Sequence, residues 1–176
     1  MAQISAQKRA YTDVTKLLLN KHEVWMMNTN EYFVKFLGPK ETPYEGGVWK
    51  VRILIPSNYP FSSPSVSFVN KIFHPNVEET SGAVCLDVIN QTWSPLYDLS
   101  NIFEVFLPQL LTYPNSRDPL NPEAATLCLF DNATFLKRVK LYVKKYANIV
   151  RLEEESEEVD SSGAEDSSMS EREDDQ

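Results

Sequence analysis

Near the start of the chain, "SAQKRAYTDVTKLLLN" places Ala10, Val14, Leu17 and Leu18 at helical spacing behind Ser5. That pattern predicts an amphipathic helix with Ser5 as its N-cap. The period then shortens. "EVWMMN", "YFVKFLG", "VWKVRILI" and "SVSFVN" are brief, rich in β-branched and aromatic residues, and parted by "GPKETPYEGG" and "PSNYPFSSP". Those separators carry turn chemistry, so the four runs read as strands. With no helix between them, they predict an antiparallel meander.

From Lys71 to Leu99 no period survives, and Pro, Gly, Asn and Ser alternate with isolated hydrophobes. Ile72, Phe73, Val84, Leu86, Val88 and Trp93 argue against disorder, so this is expected to be a packed functional loop. Helical patterning resumes in "DLSNIFEVFLPQLLTY", apolar enough to be buried on several sides, with Pro108 expected to kink or shorten it. "NPEAATLCLF" opens with Asn121 as N-cap, Pro122 at the first helical position and Glu123 beside the positive dipole end. In "ATFLKRVKLYVKKYANIV", Leu136, Val139, Val143, Tyr146 and Val150 form one stripe, with Lys137, Arg138, Lys140, Lys144 and Lys145 mainly on other faces. The order predicts an α+β fold: an N-terminal helix, a four-stranded antiparallel β-meander, a long active loop and C-terminal helices. We place this domain at residues 1–152.

Charge changes the picture at the C-terminus. From Glu153 onward twelve acidic residues face one arginine, whereas the rest has sixteen Lys and Arg against thirteen Asp and Glu. The body is therefore mildly basic, and residues 153–176 read as an acidic, disordered tail with too few hydrophobes to offset chain entropy. Ser162, Ser168 and Ser170 each have Glu three positions later, a pattern suited to acidophilic kinases. The two cysteines, Cys85 and Cys128, and the absence of a signal-peptide pattern lead us to expect a reducing compartment, cytoplasmic and/or nuclear. Two Cys and two distant His offer no repeated ligand pair, so no metal is expected. No apolar run approaches the ~20 residues of a membrane span. The basic positions 137–145 have helical spacing and read as a solvated face, so no nucleic-acid partner is expected.

Six motifs lie in a recognisable order: "PYEGGVW" (Pro43–Trp49), "YPFSSP" (Tyr59–Pro64), "HPN" (His74–Asn76), "VCLD" (Val84–Asp87), Trp93 and "DPLNP" (Asp118–Pro122). Together they resemble the ubiquitin-conjugating enzymes, over roughly Lys8 to Val150. With the acidic tail the chain is most similar to the class H subgroup. The resemblance implies that fold and a transferase that takes ubiquitin from an activating enzyme as a thioester. It then passes ubiquitin to substrate lysines, usually with a RING-type ligase, in class H a large multi-subunit one. No cofactor is bound directly, because ATP is used upstream by the activating enzyme. One departure stands out: "VEETSGAV" between Asn76 and Cys85 is a residue longer than in the commonest members, the extra residue falling around Thr80–Gly82.

The resemblance puts the nucleophile on Cys85, expected as a sulfur exposed at a cleft edge. A thiol of ordinary pKa, ~8.5, supplies a few per cent of thiolate at neutral pH, enough for thiol exchange. Cys128, between Leu127 and Leu129, is expected to be core packing. Asn76 matches the side-chain amide that stabilises the oxyanion, or else braces its loop. Such a donor is worth about 3–4 kcal/mol in other enzymes. Asp118 matches the carboxylate that orients and activates the lysine, Asp87 adds to it locally, and Leu120 packs near the thioester. In the resemblance His74 is structural; His22 reads as a satisfied surface residue. Phe61, Pro95 and Leu96 match the apolar loops gripped by RING ligases, and Lys8 and Arg9 the basic face used by the activating enzyme and ligases.

Rival readings remain. A Cys85/His74 thiol hydrolase would cleave ubiquitin amides unaided. A non-catalytic adaptor would keep the fold but has no need of "VCLD". A conjugating enzyme for another ubiquitin-like modifier would look the same. The tail could attract basic substrates such as histones, dock on a ligase or fold against the basic helix face.

Overall fold

The computed structural model describes residues 2–148, with side chains from residue 5; the tail and Val150 lie outside that range. Helix α1 spans Ala2–Leu19, so it begins before Ser5 and the predicted N-cap is wrong. Its buried stripe is Ala6, Ala10, Val14 and Leu17, while Leu18 faces solvent. Asp13 sits on the same stripe and is fully buried. The sequence reading passed over that charge.

Strands β1 (Val24–Asn28), β2 (Glu31–Leu37), β3 (Val48–Leu54) and β4 (Ser65–Phe68) form one antiparallel sheet in chain order, the predicted meander. Alternation decides its faces. Tyr32, Val34 and Phe36 of β2 and Trp49, Val51 and Ile53 of β3 all point into the core. Tyr32 pairs with Ile53 and Phe36 with Trp49 across the ladder, so a one-residue slip would turn every one of them outward. Edge strand β1 is mostly exposed.

Residues 71–99 are less irregular than predicted. They contain a short helix, α2 (Leu86–Thr92), with Cys85 at its N-cap. Seven residues are too few for a period to announce a helix. Beyond it, α3 (Leu99–Asn101), a π-helical stretch (Ile102–Phe106) and α4 (Leu107–Thr112) run without interruption. Asp98 and Asn101 form a reciprocal capping box at the start. Pro108 does not break the rod. It falls in the first turn of α4, just after the π turn, where the ladder is already shifted and its missing N–H costs least. Phe103 of the π stretch meets Phe36 of the sheet at 6.4 Å between ring centroids, placing this rod on the sheet's inner face.

Helix α5 (Pro122–Phe130) begins as predicted, with the Asn121 side chain accepting from Ala124 N. Helix α6 (Asn132–Tyr146) is capped by Asp131. Phe135 and Val139 are its buried residues; Leu136, Tyr142 and Val143 pack beside them. Cys128 is only half-buried, so the expected core cysteine lies at the core's margin. The α+β order stands.

Candidate active site

Three motifs converge through Asn76. Its backbone carbonyl accepts from Cys85 N at 3.0 Å. Its side-chain Nδ2 donates to Asn115 O at 2.7 Å and Asp118 O at 3.3 Å, and its Oδ1 accepts from Asn115 N at 2.8 Å. One fully buried residue thus clamps the segment carrying Cys85 to the loop carrying Asp118. Pro75 O extends the clasp by accepting from Leu120 N at 2.9 Å and Asn121 N at 3.0 Å. Of the two roles considered for Asn76, this conformation displays the brace, with both amide hydrogens already in use.

His74 holds Asn76 in turn. A carbonyl can only accept, so Nε2 donates to Leu110 O at 2.9 Å. A backbone N–H can only donate, so Nδ1 accepts from Asn76 N at 2.9 Å. The ring is therefore a neutral Nε2–H tautomer with both nitrogens committed. Burial pushes its pKa down to about 4, the Leu110 hydrogen bond opposing only in part. Nothing is left over to serve Cys85 as a base, and the Cys/His hydrolase geometry is absent.

The "PYEGGVW" motif supports this segment from below. Tyr44 Oη donates to Phe73 O at 2.8 Å, and Trp49 Nε1 donates to Lys71 O at 3.2 Å. The longer turn beyond Asn76 is well built: the Glu78 carboxylate accepts from Thr80 N at 3.2 Å and Ser81 N at 2.6 Å. The Ser81 and Thr80 hydrogen bonds hold the Glu78 carboxyl down to about 2. Gly82 closes the turn at φ +70°, and a Cβ there would lie 1.8 Å from Phe68 O, so no other residue fits. Tyr142 Oη donates to Glu79, pinning the turn to α6.

At the rim, one ligand atom each from Cys85, Asp87 and Asp118 lies within 4.8 Å of the others. The resemblance implied Asp118, and chain position Asp87, near the nucleophile, and the fold brings all three together. The expected exposed sulfur needs correction, since Cys85 is 7% exposed. It lies outside the main hydrophobic cluster, however, and Leu86, Asp87, Asp118 and Leu120 around it are exposed.

The residues expected to dock partners are distributed differently. Phe61 is 78% and Leu96 91% exposed, and Pro95 and Lys8 are also on the surface. Arg9 is not a free surface cation. Its Nε bonds Asp13 at 3.0 and 3.1 Å, while its terminal nitrogens donate to Pro95 O at 3.3 Å and Tyr97 O at 2.8 Å. His22 is satisfied as expected, with Nε2 3.1 Å from a Glu104 carboxylate oxygen. Asn115 and Asp13 were missed. Asn115 gave no signal, but Asp13 did: it occupies a core position of the α1 stripe.

Residues 4–143 match the family model described as ubiquitin-conjugating enzyme. The chain belongs to the ubiquitin-conjugating enzyme family. It is 58% identical over 145 residues to ubiquitin-conjugating enzyme E2 5 of Arabidopsis thaliana, covering 81% of this chain and 78% of that one. With the 24 kDa ubiquitin-conjugating enzyme of Saccharomyces cerevisiae it shares 57% over 145 residues, 81% of this chain and 66% of the relative. The E2 domain of a Toxoplasma gondii ubiquitin-conjugating enzyme superposes with TM-score 0.73 at 28% identity, covering 81% of this chain and 99% of that one. As a ubiquitin-conjugating enzyme the chain is a transferase that works through a cysteine thioester, between an activating enzyme and a ligase. Its geometry fits that trade. A carrier must hold a labile acyl bond without hydrolysing it, and the ubiquitin-conjugating fold keeps its histidine neutral, buried and occupied.

Proposed function

We propose that Cys85 is the acceptor of ubiquitin and that Asp118, helped by Asp87, receives the lysine that removes it. In loading, the Cys85 thiolate attacks the carbonyl of the activating enzyme's thioester; a new C–S bond forms and the activating enzyme's thiolate leaves. In transfer, a lysine amine attacks the same carbonyl, the C–N bond forms, and Cys85 leaves as thiolate while the nitrogen gives up a proton. Two carboxylates beside the sulfur attract the incoming ammonium and can take that proton. At ~4 Å one such pair is worth about 1 kcal/mol in water and about 4 kcal/mol near a protein surface. Asn76 fixes the spacing between carbonyl carbon and carboxylate, a placement on which rate depends steeply. Leu120, exposed on the clasped loop, shields the thioester.

The supporting observation is the convergence of Cys85, Asp87 and Asp118 within 4.8 Å in a chain of this family. The partner at the exposed Phe61, Pro95 and Leu96 is a RING-type ligase, and Lys8 faces the activating enzyme. The acidic tail favours basic substrates such as histones. Incubation with activating enzyme, ATP and ubiquitin tests the nucleophile on reducing and non-reducing gels. The adduct is thiol-sensitive in the wild type, absent in Cys85→Ala and thiol-resistant in Cys85→Ser. Its persistence in Cys85→Ala and loss in Cys128→Ala would move the role to Cys128.

A further inference from the structure

Phe61 and Leu96 protrude from two separate loops, each closed by short local hydrogen bonds such as Phe61 N to Asn58 O and Leu96 N to Ser94 Oγ, which do not set one loop against the other. Behind them the loops share an anchor. Asp13, fully buried on α1, accepts from Arg9 Nε through both oxygens and from Tyr59 Oη through one. Arg9 also donates from Nη1 to Pro95 O and from Nη2 to Tyr97 O, either side of Leu96. Tyr59 lies two residues before Phe61. Its ring stands 5.8 Å from that of Trp93, whose Nε1 donates to Pro60 O at 2.9 Å. Lys16, one α1 turn beyond Asp13, pairs with Asp98 at 3.0 Å where the second loop ends.

We infer that Asp13 is a positioning residue for ligase docking: through Tyr59 it sets the Phe61 loop and through Arg9 the Leu96 loop, fixing the separation of the two tips. This rests on the reading that those tips meet a RING domain. The physical reason is preorganisation. Two loop tips free to shift against each other would have to be brought into register on binding, and a buried hub sets that register in advance. An arginine suits the hub because its planar fork aims three separate nitrogens at the Asp13 carboxylate, Pro95 O and Tyr97 O, whereas a lysine would have to serve all three from a single nitrogen. The hub accounts for a buried charge on α1 that the catalytic chemistry does not use. It also gives Arg9 a role in docking without contact to the partner.

The test uses the full chain and a RING domain selected because it accelerates ubiquitin discharge from the wild-type thioester to free lysine. Tyr59→Phe removes one hydroxyl and keeps the ring. It should raise the RING concentration for half-maximal acceleration about tenfold, the scale of one hydrogen bond to a charged group. Loading by the activating enzyme, ligase-free discharge and the rate at saturating RING should stay at wild-type values. Asp13→Asn should do the same or more. In a Phe61→Ala background Tyr59→Phe should have no further effect, because it acts through that loop. A wild-type RING dependence in both Tyr59→Phe and Asp13→Asn, with Phe61→Ala impaired, overturns the positioning role alone. Additive losses in the double variant overturn it too. A Phe61→Ala variant with wild-type RING dependence overturns the docking reading beneath it.

Discussion

The rim around Cys85 and the surface around Phe61 are both loop clusters held from behind, but by opposite chemistry. At the rim the fasteners are neutral: the Asn76 amide, backbone groups, and a His74 whose nitrogens are both committed. At the proposed docking surface the fastener is an ion pair, Arg9 with Asp13. A thioester explains the difference. A free base beside it would activate water as readily as a lysine, so rigidity there is built from groups that do not titrate near neutrality. The surface around Phe61 carries no labile bond and tolerates a charged hub. Asp87 and Asp118, beside Cys85, stand on the exposed side of the rim.

The sharpest way to break that contrast is Asp118→Asn, which keeps the shape and removes the charge. Discharge to lysine should fall on the order of 100-fold, the range of a lost general base, with loading unchanged. Equal loss of both steps would show a structural lesion instead. Asn76→Ala comes next. It strands Asn115 N, Asn115 O and Asp118 O, at about 1–3 kcal/mol for each group that water fails to reach. Denaturant melts should show a loss of a few kcal/mol, with faster amide exchange at Asn115 and slower discharge.

His74 supplies a pH test. Its pKa is about 4 when folded and near 6.5 when unfolded, so the unfolded chain takes up a proton first. The stabilisation is complete above pH 6.5 and declines as the pH falls from 6.5 towards 4, by about 3 kcal/mol in total. Denaturation midpoints across that window should fall more steeply for the wild type than for His74→Gln. Glu78, with a folded value of about 2, acts in the same direction in a lower window, from 4.5 downward. The smallest effect is expected for Asp87→Asn, a few-fold loss in discharge with Asp118 still present.

Much of this was legible beforehand. The meander followed from alternation in β2 and β3, and the α5 start from Asn121 and Pro122. What failed did so for local reasons. Ser5 can cap a helix, but α1 continues past it to Ala2. Helix α2 is too short to show a period. Pro108 should bend an α-helix, yet it follows a π turn. Asp13 was readable in principle, as a charge on an apolar stripe, but the ties of Arg9 to Pro95 O and Tyr97 O were not, because those two partners lie 86 and 88 residues away.

By itself the sequence determined the periods, the turn chemistry and the inventory of reactive groups, because these depend on neighbours a few bonds apart. Tertiary structure decided which of those groups meet. It turned His74 from a possible base into a neutral strut, Asn76 into a clamp, and Arg9 from a surface charge into a spoke. Burial and long-range hydrogen bonds set each of those roles, and neither exists until the chain has folded.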